Sequence, residues 1–202
     1  MEKSVSDLDI KGRGEIFSHL IAVSNRKLCA RPFSEQIKRV CALHPRALIL
    51  REKDLSEEEY EALAKEVMVI CRKYDVPCIL HFFPKTALKL GCPAIHLTLG
   101  QLKEEQTLFS SFKVIGASVH SVSEAVLAQD LGASYITAGN IFETACKPGK
   151  SAKGLEFLRE VCASVKIPVY GIGGIGIDEG QIRELLSCGA AGGCAMSGMM
   201  RV

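Results

Sequence analysis

The chain has 202 residues, of which 48% are hydrophobic, 24% charged and 6% aromatic, with a net charge of +2. That length suits one domain with one sizeable core, and the aliphatic-rich composition excludes a disordered chain. The basic residues are spread along the sequence, so no field favours nucleic acid or an anionic membrane. The opening stretch MEKSVSDLDIKGRGE lacks the apolar core of a signal peptide, and no run approaches the ~20 apolar residues of a membrane span, so a cytoplasmic protein is expected.

Short apolar runs alternate with amphipathic stretches along the whole chain, the pattern of a parallel sheet joined by crossover helices. Strands are predicted at 20–24, 47–51, 78–82, 94–97, 114–119, 135–138, 169–172 and 193–196. Between the second and third lies the clearest helix, 56–74. Ser56 caps it, Glu57, Glu58 and Glu59 suit its positive end, and Leu63, Val67 and Ile70 form its apolar stripe. Between the fifth and sixth, Ser121 and Glu124 have the spacing of a capping box, followed by apolar Val122, Ala125, Val126 and Leu131. Between the seventh and eighth, 178–188 ends at Gly189, a C-cap residue. Nine cysteines, Cys29, Cys41, Cys71, Cys78, Cys92, Cys146, Cys162, Cys188 and Cys194, form no C-x-x-C pair and fall mostly in apolar segments, so reduced core thiols are expected.

An open doubly wound sheet competes with a closed barrel. Eight strands joined by evenly spaced helices favour closure, because repeated right-handed crossovers bring the eighth strand beside the first. The expected fold is therefore an α/β protein, a (β/α)8 TIM barrel in a single domain spanning 1–202. Its last helix is truncated, since the sequence stops at Val202. The N-terminal residues or a partner subunit, as in a homodimer, are expected to cover that face.

In such a barrel the active site forms at the C-terminal ends of the strands. After strand seven comes Gly171-Ile172-Gly173-Gly174-Ile175-Gly176, and after strand eight Ala195-Met196-Ser197-Gly198. Glycine lets backbone N–H groups approach a ligand, and a short helix starting near Ser197 would aim its positive end at the same place. Gly173, Gly174, Met196, Ser197 and Gly198 are thus a candidate phosphate cradle, against the plainer reading of tight turns.

His120, ending strand five, is placed for acid–base work, or for a cap. His19, His44, His81 and His96 have weaker claims, and no two have metal-ligand spacing. Arg51 and Lys53, two apart after strand two, would face one side and receive an anion such as a carboxylate, or form a solvated cluster around Glu52. The segment 142–150 reads as a mobile polar loop able to close over a ligand.

Ser118-Val119-His120-Ser121 with Glu124-Ala125, Gly139-Asn140-Ile141-Phe142-Glu143-Thr144 with Cys146-Lys147, the glycines at 171–175 and Met196-Ser197-Gly198 together resemble the thiamin phosphate synthase/TenI superfamily. The likeness is densest over 114–199, and Leu50-Arg51-Glu52-Lys53 is its main earlier anchor. The chain looks closest to the thiazole tautomerase (TenI) branch.

The resemblance implies two reactions. Synthase members join a pyrimidine diphosphate to a thiazole phosphate using Mg2+ held by aspartates after strands three and four. Here Phe82 stands at the first position, Gln101 at about the second, and Ile49 replaces the synthase glutamine two residues before the arginine. The tautomerase branch implies an isomerase needing no metal. His120 would move a proton on a thiazole carboxylate phosphate, Gly173, Gly174, Met196 and Ser197 would hold the phosphate, and Arg51, Lys53, Ser118, Thr144 and Lys147 would line the substrate side. The tautomerase is the expected function, with no cofactor and a phosphorylated thiazole as ligand. The alternatives are the synthase with Mg2+, a non-catalytic thiazole phosphate-binding regulator, and a phosphosugar isomerase.

Overall fold

Eight parallel strands close into a barrel in the order β1 to β8, in a computed structural model that describes residues 15–144 and 151–202. The strands are β1 Leu20–Val23, β2 Ala47–Leu50, β3 Cys78–His81, β4 Ala94–Thr98, β5 Val114–Val119, β6 Tyr135–Gly139, β7 Val169–Ile172 and β8 Gly192–Ala195. Closure comes from β1 pairing with β8 in parallel, Ile21 opposite Cys194. Seven helices connect successive strands: α1 Phe33–Ala42, α2 Glu57–Lys73, α3 Pro84–Lys89, α4 Leu99–Glu104, α5 Val122–Asp130, α6 Gly154–Ser164 and α7 Glu179–Ser187.

Alternation along each strand divides the apolar residues into two cores. Ile21, Val23, Ala47, Ile49, Ile79, Ala94, Tyr135, Tyr170 and Cys194 pack inside the barrel. The intervening strand residues, such as Leu48, Leu50, Leu80, Ile95 and Leu97, pack outward against the helices. Inside, a Cβ at Gly116 would lie 2.2 Å from the Tyr135 ring, so glycine there leaves room for that ring to cross the barrel floor.

Local chemistry explains the helix boundaries. Ser56 and Glu59 form a complete capping box at α2. At α5 the box is only half made: Ser121 accepts from the Glu124 N–H, but the Glu124 carboxylate accepts from the His120 N–H at 2.5 Å. Val126 is 36% exposed and the buried residues of α5 are Ala125 and Ala128, which corrects the expected stripe. Gly189, with φ of +88°, follows α7 as expected of a C-cap.

After β8 the chain makes a 3-10 turn, Met199–Arg201, in place of a helix. Met199 and Met200 are fully buried, and the buried Gln36 amide of α1 donates to the Met199 carbonyl at 2.8 Å. So α1 packs on this turn, while residues 1–14, named from sequence for covering that face, lie outside the described residues.

Candidate functional site

A cavity of about 400 Å³ opens at the C-terminal ends of the strands. Arg51, Lys53, Ser118, His120, Thr144, Gly173, Gly174, Met196 and Ser197, all singled out from sequence, line it. Gly198 is not among the lining residues, and Lys147 lies outside the described residues, as does the rest of its loop over 145–150.

The cradle is made of backbone. The N–H groups of Gly173, Gly174 and Ser197 donate to no acceptor among the described residues and so remain able to bind an anion. Gly173 has φ of +98°, and a Cβ there would lie 2.4 Å from the Asn140 Cβ, so the turn after β7 both exposes its amides and packs on the end of β6. The short helix expected near Ser197 is a single 3-10 turn, Met199–Arg201, too short to carry an appreciable dipole. Gly173→Ala is expected to lower unfolding free energy by about 2–4 kcal/mol and weaken phosphate binding at least tenfold. Thermal melts and phosphate titration check this, and a variant with parental affinity would remove Gly173 from the cradle.

At β2, the two cations reach the cavity because Glu52 between them does not. Glu52 is 3% exposed, accepts from Ser24 Oγ at 2.7 Å and from the Arg26 N–H at 3.0 Å, and pairs with Arg26 Nη1 at 3.1 Å. The Ser24 hydroxyl accepts in turn from the Arg51 N–H at 2.8 Å. Of the two readings the sequence left open here, the solvated cluster around Glu52 is not formed, because Glu52 is a buried anchor. Tyr60 of α2 completes the support: its hydroxyl donates to the Leu50 carbonyl at 2.7 Å and accepts from the His81 N–H at 2.8 Å, fixing the ends of β2 and β3 together.

Two histidines given weaker claims from sequence also line the cavity. His81 and His96 are register partners on β3 and β4, with ring centroids 5.9 Å apart and nearly parallel planes. His96 Nδ1 bonds Tyr135 Oη at 2.9 Å and Nε2 bonds Ser118 Oγ at 2.8 Å, while Thr137 Oγ1 donates to Ser118 Oγ at 3.3 Å. Ser118 is therefore held from two sides. Burial, reinforced by Lys53, pushes the His96 imidazole down to about 3. Burial, then His96, Lys53 and Arg51, pushes His81 down to about 2, so both rings are neutral at pH 7. Period-two alternation was the available signal: Ile79 and His81, or Ala94, His96 and Thr98, share the inward face of their strands.

His120 sits at the rim, its side chain 52% exposed, with Nδ1 3.5 Å from Glu124 Oε2. It shares the cavity with the cradle.

The ends of β3 and β4 do not fit a divalent cation. Phe82 is apolar, and both ends of the Gln101 amide are in use: Nε2 donates to the Phe82 carbonyl at 2.7 Å, and Oε1 accepts from Thr98. Among the described residues no group of three or more His, Cys, Asp or Glu side chains is placed to hold a metal.

The family model of thiamine monophosphate synthase matches residues 20–199. The chain belongs to this family. A putative thiamine-phosphate synthase 2 from Aquifex aeolicus is 34% identical over 158 residues, 77% of this chain and 84% of that protein. A thiamine-phosphate synthase from Listeria welshimeri is 41% identical over 150 residues, 71% of this chain and 70% of that protein. Among solved structures, a thiamine phosphate pyrophosphorylase from Pyrococcus furiosus superposes with a TM-score of 0.79 at 28% identity, over 92% of this chain and 89% of that one.

These relatives overturn the expected thiazole tautomerase, and with it the isomerase class: they are named for synthesis of thiamine phosphate, a group transfer. The physical reason for the error is that a phosphate cradle and one rim imidazole serve many reactions on this barrel, so they could not discriminate between chemistries.

Proposed function

We propose that this chain is a transferase of the thiamine-phosphate synthase type, joining a pyrimidine methyl diphosphate to a thiazole phosphate. The carrying observation is that one cavity holds two different anion-binding features, backbone N–H groups after β7 and β8 that donate to nothing among the described residues and two cations after β2. The first suits a phosphate monoester, while the second suits a more highly charged diphosphate.

In this reading Gly173, Gly174 and Ser197 hold the thiazole phosphate, with Met196 beside them, and Ser118 and Thr144 line the ring. The thiazole nitrogen bonds to the methylene carbon of the pyrimidine, the bond from that carbon to the diphosphate oxygen breaks, and its electron pair leaves with diphosphate. Negative charge grows on the departing group, where Arg51 and Lys53 oppose it in a cavity walled by Ile49, Val23 and Ile172. Glu52, Ser24 and Tyr60 keep that corner in place before substrate arrives. His120 faces the same space as a polar group at the rim.

Free small-molecule substrates fit an open cavity. Eight described cysteines are free thiols, which agrees with work in the reducing cytoplasm. No helix among the described residues is long and apolar enough to cross a membrane.

The test supplies both substrates and follows thiamine phosphate and diphosphate together. Equal amounts of the two products are expected, with Arg51→Ala lowering kcat by roughly a hundredfold. Tight binding of thiazole phosphate with no diphosphate released, with or without Mg2+, would leave a binding protein and end the transferase reading.

A further inference from the structure

His81 is a buried polar side chain with unused bonding capacity. It is 5% exposed and lines the cavity, and its ring nitrogens meet no hydrogen-bond partner among the described residues. Its backbone is satisfied: the N–H reaches Tyr60 Oη at 2.8 Å, and the carbonyl accepts from the Phe83 N–H at 2.9 Å. The ring plane is fixed by neighbours, with the His96 centroid at 5.9 Å and the Phe82 centroid at 6.1 Å. A neutral imidazole carries one N–H donor and one lone pair, and since no buried side-chain nitrogen or oxygen among the described residues lacks a partner, those of His81 must reach the open cavity, where a ligand can meet them.

The neighbours define that ligand. The β2–β3 register places Leu50 beside Leu80, so the following residues, Arg51 and His81, stand side by side around the ring, with Lys53 lining the same cavity. Both cations act on His81 through space. Phe82, directly after His81, and the fully engaged Gln101 after β4 offer no carboxylate that could bring a cation to an anion. Charge at this corner is balanced by nitrogen donors.

We propose that Arg51, Lys53 and the imidazole of His81 form a diphosphate site built of nitrogen donors alone, which fills without a divalent cation. The choice of diphosphate rests on the transferase reading above, but the site itself can be tested without turnover. The two side-chain cations neutralise the anion, and the His81 N–H gives one terminal oxygen a directed hydrogen bond.

The experiment titrates inorganic diphosphate into the full chain by calorimetry, once with EDTA and once with excess Mg2+. Binding in EDTA at least as tight as in Mg2+ is expected. In EDTA, His81→Leu should weaken diphosphate by about tenfold or more, the scale of a hydrogen bond to a charged group, while inorganic phosphate at the glycine cradle binds within about twofold of the parent. His81→Gln, which retains an N–H donor, should recover most of the loss, and it also serves if the leucine variant fails to fold. Diphosphate binding seen only with Mg2+, or a His81→Leu protein with parental affinity, would overturn the proposal. Metal-free binding that depends on His81 but comes with no thiamine phosphate formation would instead sink the transferase reading and leave the site. Turnover strictly dependent on Mg2+ would do the reverse.

Discussion

Between pH 7 and pH 4 the folded protein is expected to lose several kcal/mol of stability, read as a falling urea midpoint. The cause is the pair of imidazoles on the barrel floor. Burial holds His96 at about 3 and His81 at about 2 in the folded state, whereas both return to about 6.5 when the chain unfolds. Below pH 6.5 the unfolded chain therefore binds protons that the folded chain refuses, so stability is full above that pH and drains away as the pH falls. Each group contributes at most about 1.4 kcal/mol per pH unit. Carboxylates held low by ion pairs, such as Asp54 beside Arg26 and Glu61 beside Lys65 and Lys89, act only in the carboxylate range below about pH 4.5. The slope between pH 6.5 and 5 thus belongs to the imidazoles. His96→Gln keeps a side chain able to bond Tyr135 and Ser118 but never ionises, and it should roughly halve that slope, leaving the share of His81. An equal slope in the variant would show that His96 is not responsible.

Glu52→Ala should cost about 3 kcal/mol of unfolding free energy and raise KM for the diphosphate substrate roughly tenfold. Its carboxylate is the shared acceptor for Ser24 Oγ, the Arg26 N–H and Arg26 Nη1. Its removal leaves a buried hydroxyl and a backbone donor short of a partner and part of the Arg26 charge unopposed. The Ser24 hydroxyl would then turn, loosening the Arg51 N–H that it accepts from. Two readouts separate support from general damage: urea denaturation reports the lost bonds, and KM rising with kcat held reports displacement of Arg51 from the diphosphate. Stability within about 0.5 kcal/mol of the parent would show that Glu52 is not the anchor.

Sequence patterns were most informative where interactions are between near neighbours. The Ser56 box at α2 formed as its spacing predicts, because cap and Glu59 lie within one turn. The matching spacing at Ser121 yielded half a box, because the Glu124 carboxylate had a competing donor in the His120 N–H. The short helix expected after Ser197 is reduced to one 3-10 turn, since glycine spacing does not fix helix length when buried Met199 and Met200 pull the chain inward. Within the site, Arg51, Lys53 and the glycines were legible from position at strand ends, and Ser118 only from the family resemblance of its motif. His81 and His96 were passed over because neither belongs to a local motif and their spacing suggested no metal, although alternation along β3 and β4 put both on the inward face.

The order of strands and helices, the alternation that splits two cores, and the residues at strand ends were written in the sequence alone. These follow from backbone geometry and from contacts a few residues apart. Only the closed barrel decided which of those residues meet. The β3–β4 register brings His81 against His96, the void at Gly116 admits Tyr135, and α2 sends Tyr60 to join β2 to β3. Such contacts depend on how distant strands are staggered when the ring shuts, and no periodicity within one strand encodes that stagger.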